Sequence, residues 1–89
     1  MKSVPLGRIL ATPGALETLS NTNTVAALLL DRHHTGDWGD LCEEDCKANE
    51  DALDQGGRVM SVYKLADETI WVLTEADRSS TTILMSSEY

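Results

Sequence analysis

Four side chains that could take part in acid–base chemistry lie close together in the chain: His33, His34, Asp37 and Asp40. A histidine or carboxylate with a shifted pKa in a cleft can act as a general acid or base, and the polar segment 75–79 could contribute if folding brought it near. However, the chain has no nucleophile motif or phosphate-binding loop, and histidines near a helix end commonly compensate the helix dipole. The sequence therefore predicts a binding protein rather than an enzyme. The alternative is a small enzyme that uses His34, Asp37 and Asp40.

Cys42 and Cys46 are four residues apart on a predicted helix, so both thiols would point to the same side. Together with a histidine they could bind zinc, but structural zinc usually takes one cysteine pair on a tight turn and a second pair elsewhere. Both cysteines also fall on the apolar stripe of the helix, where a free thiol behaves as a small apolar side chain. We therefore predict buried, unpaired thiols, with no metal and no other cofactor.

The segment Gly-Asp-Trp-Gly-Asp at 36–40 is expected to join two helices. Its two glycines tolerate positive φ, so the chain can reverse here over a few residues. Trp38 either plugs the joint between the flanking helices or is presented to a partner, and the need of a small domain for large apolar groups favours the plug. Asp40 is predicted to cap the next helix, with Glu43 three residues later completing a capping box.

Acidic residues are unusually dense between positions 37 and 54. Against the single Lys47 stand Asp37, Asp40, Glu43, Glu44, Asp45, Glu50, Asp51 and Asp54. On a helix, acids 43, 50 and 54 would be about 10 and 6 Å apart, close to the roughly 7 Å between successive phosphates. Such a face could occupy a basic nucleic-acid-binding groove, and a solvated face that keeps a small protein soluble is the equal alternative. The predicted partner-binding residues are Asp37, Trp38, Asp40, Glu43, Glu44, Glu50, Asp51 and Asp54.

The 89 residues include 7 basic and 15 acidic side chains, which give a formal net charge of −8. This balance argues against direct binding of nucleic acid or of anionic membranes, because both require a basic surface. No apolar run is long enough to span a bilayer, and segment 1–5 lacks the apolar stretch of a signal peptide. We therefore expect a single cytoplasmic domain over residues 1–89, and the oligomeric state stays open.

Three helices are predicted in the first part of the chain. Thr12 and Pro13 favour a helix from about 13 to 20. Its inward positions are Ala15, Leu16 and Leu19. Thr24 would cap a second helix over 25–34, whose first six residues could instead form a buried strand. The third helix, over 41–54, has its core-facing stripe at Cys42, Cys46, Asn49 and Leu53.

After residue 57 the sequence is rich in β-branched and aromatic residues, which indicates strands. The predicted strands are 59–65, 70–74 and 81–85, joined by turns at 66–69 and 75–80. The apolar run 6–11 could be an edge strand or an extended lead-in to the first helix. The predicted fold is therefore α+β: an antiparallel C-terminal meander of three or four strands, covered by two to three N-terminal helices.

Several segments carry a resemblance to a known family. They are Leu-Ala-Thr-Pro-Gly-Ala-Leu at 10–16, His-Thr-Gly-Asp-Trp-Gly-Asp-Leu at 34–41, Glu-Asp at 44–45, Asn-Glu at 49–50, Trp-Val-Leu-Thr-Glu-Ala-Asp-Arg-Ser at 71–79, Thr-Ile-Leu at 82–84 and Glu-Tyr at 88–89. Through them, nearly the whole chain resembles a family of small bacterial proteins found on plasmids and phages, often labelled plasmid-related or accessory to type I restriction. The paired cysteines and Met85 depart from the family pattern.

This resemblance implies an origin on a mobile element, and with it an inhibitor of host defence such as an anti-CRISPR or anti-restriction protein. It brings no established catalytic role. The leading hypothesis is a non-enzymatic DNA mimic that binds a protein with a basic nucleic-acid-binding groove, in the cytoplasm of the host bacterial cell. A structural accessory subunit is the third hypothesis.

Overall fold

The computed structural model describes residues 3–89, and Met1 and Lys2 of the predicted domain lie outside that range. In chain order its elements are β1 (Arg8–Ala11), α1 (Pro13–Asn21), α2 (Ala26–His34), α3 (Glu43–Gln55), β2 (Val59–Leu65), β3 (Glu68–Thr74), β4 (Ser80–Met85) and a short 3₁₀ helix (Ser86–Glu88). The fold class is α+β, as predicted. Among the described residues, no helix has the length and apolarity needed to cross a membrane.

Two neighbouring residues, Thr12 and Pro13, determine where α1 starts. The Thr12 hydroxyl accepts a hydrogen bond from the Ala15 amide at 3.2 Å, and Pro13 occupies the first turn, where a missing N–H costs nothing. Ala15 and Leu19 are buried, as predicted. Leu16 is 54% exposed, so its predicted inward position is wrong. It lies about 100° around the helix from Ala15, beyond the stripe that contacts the sheet.

Residues 26–34 form a helix, which decides against the alternative of a buried strand. The predicted cap at Thr24 is wrong, because the N-cap residue is Val25, which makes no side-chain cap hydrogen bond. The Thr24 hydroxyl is instead 2.8 Å from the Thr22 hydroxyl in the preceding turn. The last turn contains Arg32, His33 and His34, whose positions suit the negative end of the helix dipole.

The third helix begins at Glu43, two residues later than predicted, and ends at Gln55, after which the C-cap residue Gly56 adopts the left-handed conformation with φ 84°. Asp40 is therefore not its cap, and that prediction is wrong. The N-cap residue is Cys42, which makes no side-chain cap bond. The reason is that the Asp40 amide donates to the Val62 carbonyl at 2.7 Å, so this part of the turn runs extended beside β2.

The four strands form one sheet in the order β1-β4-β3-β2. The predicted antiparallel meander is confirmed for β2, β3 and β4. The sheet as a whole is mixed, because β1 pairs with β4 in parallel, with Arg8 opposite Ser80 and Ala11 opposite Ile83. A purely antiparallel sheet was therefore the wrong expectation. Parallel pairing needs a long crossover, which here consists of all three helices and two strands.

One face of the sheet packs against α1 and α2 and forms the larger apolar core. This core contains Ala15, Leu19, Leu29, Tyr63, Ile70, Val72, Ile83 and Met85. A smaller cluster of Val4, Trp38 and Val59 lies beside it, with Leu6, Leu41, Cys46, Ala52 and Leu53 packed around it. The second cluster joins α3 and the turn at 36–40, which we call the central turn, to the sheet. It therefore positions the acidic residues.

Candidate acidic interface

Helix α3 is anchored to the edge of the sheet by one buried polar side chain. Asn49 is 5% exposed; its amide nitrogen donates to the Met60 carbonyl at 2.7 Å, and its amide oxygen accepts from the Met60 amide at 3.1 Å. Cys46 and Leu53 are half-buried on the same side, as the predicted stripe requires. Cys42 is exposed because it precedes the helix, so its predicted burial is wrong. Burial raises the pKa of the Cys46 thiol.

This anchoring turns the carboxylates of α3 toward solvent. Six of them are exposed and together form what we call the acidic surface: Glu43, Glu44, Asp45, Glu50, Asp51 and Asp54. The first three occupy the first turn of the helix, where its dipole stabilises negative charge. Lys47 is the one basic side chain that α3 carries. The acidic surface therefore follows from the Asn49 contact, and it contains five of the eight predicted partner-binding residues.

Trp38 is buried, with 6% of its surface exposed, and packs in the smaller core cluster. Its ring lies edge-on to His33 at 5.8 Å between centroids. Its indole N–H donates to the Glu50 carboxylate at 3.1 Å across the joint between the turn and α3. The plug interpretation is confirmed, and the ring offers almost no exposed area for direct contact with a partner.

Asp37 is exposed but held in place by several contacts. The Arg32 guanidinium donates to both carboxylate oxygens, at 2.7 and 3.3 Å, and this lowers the pKa of Asp37. The same guanidinium lies over the Tyr63 ring at 4.4 Å from its centroid. The Tyr63 hydroxyl donates to the Asp37 carbonyl at 2.6 Å, and burial raises the pKa of that hydroxyl to about 12. The negative charge of Asp37 is therefore partly offset by Arg32.

Asp40 and Gly39 pair with the edge of β2. The Val62 amide donates to the Trp38 carbonyl at 3.0 Å, and the Asp40 carboxylate accepts from the Lys64 amide at 3.2 Å. Gly39 has φ 75°, and an added Cβ would collide with the Val62 carbonyl oxygen. Only glycine fits this approach without strain. The turn thus covers hydrogen-bonding groups of an edge strand that would otherwise be open to pairing with another chain.

The two histidines have different surroundings. His33 is fully buried, with Nδ1 2.6 Å from the Ser61 hydroxyl and Nε2 2.9 Å from the Thr74 hydroxyl. Burial, and secondarily the nearby His34, lower the pKa of His33 to about 4. His34 is half-buried, and its Nδ1 lies 2.8 Å from the Val4 carbonyl. Asp37 and Asp40 thus hold the turn at 36–40, whereas His34 bonds to segment 3–7.

The polar hairpin 75–79 contacts the opposite end of α3. Arg78 donates to the carbonyls of Gly57 at 2.6 Å and Ala52 at 3.1 Å, so it caps the C-terminal end of that helix. Glu75 pairs with Arg58 at 3.3 Å. Arg78 also donates to the carbonyls of Glu75 at 3.0 Å and Ala76 at 3.3 Å, so it holds its own turn as well as the helix end.

Residues 3–89 contain no group of three or more metal-binding side chains that could hold an ion. A shallow, mainly apolar groove of about 340 Å³ lies where segment 3–7 meets α2. Its lining residues are Leu6, Ala27, Leu30, Asp31 and His34, and none of these belongs to the predicted partner-binding set.

Comparison of the chain with protein-family models, with curated proteins and with solved structures found no match in any of the three.

Proposed function

We propose that this protein inhibits a host defence effector by placing its acidic surface in a basic nucleic-acid-binding groove of that effector. The proposal rests on one observation: all six carboxylates of α3 are exposed, on a short helix that Asn49 anchors to β2. Such a surface complements a basic groove and would accelerate encounter through long-range attraction. The proposal covers a non-enzymatic, anti-CRISPR or anti-restriction role in the host bacterial cytoplasm.

The spacing of the carboxylates supports mimicry of a nucleic-acid backbone. Glu43, Glu50 and Asp54 share one side of α3, at intervals of about 10 and 6 Å along its axis. Glu44 and Asp51 lie on the adjoining outward side. These intervals correspond to about three and about two phosphate steps along the axis of one DNA strand, at roughly 3.4 Å per step. An effector groove built for phosphates would therefore meet carboxylates at comparable positions.

The Trp38 indole contributes indirectly, by holding Glu50. A carboxylate fixed by a hydrogen bond loses less side-chain freedom on binding than a free one, and this favours affinity. Asp40 is fixed in the same way by the Lys64 amide. We assign the partner contact to the acidic surface and Asp40, with Asp37 at its margin and Trp38 in a positioning role.

A capture experiment from host extract tests this function. The tagged full chain should recover a nucleic-acid-binding effector at low salt and lose it at high salt. Salt screens the attraction between exposed charges, which extends only about 8 Å at physiological ionic strength and less at higher salt. The double reversal Glu44→Lys with Asp51→Lys, at two exposed positions on the outward side of α3, should abolish capture. Asp67→Lys with Glu68→Lys is the matched control, since both acids are exposed on the β2–β3 turn and should leave capture unchanged.

Inhibition of the captured effector must also be measured. The captured effector, once purified, should lose DNA binding when the wild-type chain is added, and the double reversal of α3 should not inhibit it. Capture that is indifferent to salt and to the reversal would remove the acidic surface from the mechanism. Stable capture without any inhibition would instead favour the accessory-subunit hypothesis.

A further inference from the structure

The sheet has a second face, opposite the one that packs against α1 and α2. Successive side chains of a strand point to opposite faces, and one set contacts α1 and α2. The other set forms two adjacent, largely apolar rows across the strands. One row is Val62, Trp71 and Leu84, and the next is Met60, Leu73, Thr82 and Leu10. We call these seven residues the open face.

The open face is only partly shielded. Leu10 is 43% exposed, and Met60, Val62 and Trp71 are half-buried. Leu73 and Leu84 are buried, with 9% and 7% exposed. The residue that crosses this face is Tyr89, whose ring lies 4.9 Å from the Trp71 ring between centroids and is itself 65% exposed. A tryptophan and a tyrosine ring, tilted by 55° to each other, thus lie in contact at the surface of an otherwise apolar patch.

Basic side chains border the open face, although the protein as a whole is strongly acidic. Arg8 and Arg58 lie at one end of the rows and Lys64 lies at the other, and all three are exposed. Acids also lie along this border: Glu75 pairs with Arg58, and the Asp40 carboxylate accepts from the Lys64 amide at 3.2 Å. Three of the chain's 7 basic residues therefore surround this one patch, in a protein of net charge −8. The Arg58 guanidinium also donates to the Tyr89 hydroxyl at 3.2 Å.

We propose that the open face binds an acidic amphipathic helix of a partner protein. The two rows span about 14 Å across four strands and about 7 Å along them, which matches one side of a helix of about three turns. Leucine-like side chains of such a helix would cover the apolar rows, and its flanking Asp or Glu residues would meet the basic border. Tryptophan, tyrosine and arginine, all present here, are the residues that most often dominate binding energy at interfaces.

A second copy of this chain fits the open face less well. In a symmetric face-to-face pair, a twofold axis along the strands places Arg8 over Arg58, and one across them places Arg58 over Lys64. Either arrangement opposes like charges. Helix α3 of another copy is acidic, but its outward positions carry Glu44, Lys47 and Asp51 without a large apolar side chain. The partner helix therefore comes from a different protein, and this inference is independent of the function proposed for the acidic surface.

The test uses the full chain and a displayed library of helical peptides of about four turns. All members carry leucine at i, i+3, i+4 and i+7, and the flanking positions are either Glu or Lys. Glu-flanked members should be enriched over Lys-flanked and scrambled ones. Leu10→Glu should weaken their binding about tenfold, because it places a like charge inside the patch. Leu28→Glu is the matched control, since Leu28 is 58% exposed on α2 and should leave binding unchanged.

Two further readouts locate the peptide. Binding should protect Trp71 from acrylamide quenching, whereas Trp38 is buried in both states. Arg8→Glu with Lys64→Glu should weaken the Glu-flanked peptide without unfolding the chain, as both side chains are exposed. Near-ultraviolet circular dichroism checks the fold of each variant.

Several outcomes would overturn the proposal. These are a lack of enrichment of Glu-flanked helices, preference for Lys-flanked helices, or equal loss of binding in Leu10→Glu and Leu28→Glu. Sedimentation that shows a dimer broken by Leu10→Glu would assign the open face to a second copy. Binding of a single-stranded DNA oligonucleotide, lost in the Arg8→Glu with Lys64→Glu variant, would assign it to nucleic acid.

Discussion

Protonation of buried His33 should destabilise the folded protein as the pH falls from about 6.5 to about 4. The hydrogen-bond chain around it defines the protonation state. The Thr81 hydroxyl donates to the Leu6 carbonyl at 2.7 Å, so the Thr74 hydroxyl, 2.7 Å from it, donates to Thr81. Thr74 then accepts from Nε2–H of His33, and Nδ1 accepts from the Ser61 hydroxyl. The neutral tautomer protonated at Nε2 therefore gives a hydrogen-bond partner to every hydroxyl and ring nitrogen in this network.

The magnitude follows from the difference between the folded and unfolded pKa. Folding lowers the pKa of His33 from 6.5 to about 4, chiefly through burial. Between these two values the unfolded chain binds a proton that the folded chain does not, so the free energy of unfolding falls with pH. Each pKa unit corresponds to about 1.4 kcal/mol, so the full loss is on the order of 3 kcal/mol. His33 contributes no further change above 6.5 or below the folded value.

Urea unfolding of the wild type and of His33→Gln at several pH values between 7.5 and about 4 checks this prediction. The variant removes the titrating group, and the difference between the two curves cancels the contribution of the acidic residues common to both. That difference should shrink by about 3 kcal/mol over the interval. A difference that is constant with pH would refute the reasoning, as would an NMR titration of the buried imidazole above pH 6.

Three further changes test the contacts that position the acidic surface. Gly39→Ala should lower the free energy of unfolding in urea by about 2 kcal/mol or more. Gly56→Ala should lower it by about 1 kcal/mol, because Gly56 has a similar φ but no atom within 4 Å of the new Cβ. Equal costs would contradict the close approach of Gly39 to β2. Asn49→Ala should cost about 1–3 kcal/mol, because both backbone groups of Met60 lose their partner, and unchanged stability would argue against this anchor. Trp38→Ala should lower stability by about 3–5 kcal/mol in thermal unfolding, and an unchanged melting temperature would contradict the plug.

The elements that the sequence predicted correctly are those with local signals. Thr12 and Pro13 mark the start of α1, and β-branched runs mark the three strands of the meander. The position of β1 could not be predicted in this way, because its partner β4 begins about seventy residues later and nothing in segment 6–11 identifies it. The cap at Asp40 failed for the same reason, since its carboxylate and amide are taken by β2.

The amino-acid composition predicted which acidic residues form the candidate site, but not the contacts that hold them in place. The acids of α3 were visible in the sequence, whereas the bond from Trp38 to Glu50 and the ion pair from Arg32 to Asp37 depend on tertiary geometry. The polar network around His33 was missed. A signal for it exists, because Ser61 and Thr74 lie beside the apolar inward residues Tyr63 and Val72, and a buried polar partner was therefore required.

The central turn connects stability to the proposed binding function. Its Trp38 indole bonds to Glu50 on α3, and its Gly39 pairs with Val62 on β2, so the same few residues fix the helix relative to the sheet. Substitutions in the turn should therefore reduce stability and partner binding together. Reversal of Asp51, whose side chain is exposed, should reduce binding alone, because isolated surface charges contribute little to stability. The separation of these two classes of variant, measured on the same samples, distinguishes a carboxylate that touches the partner from a residue that positions it.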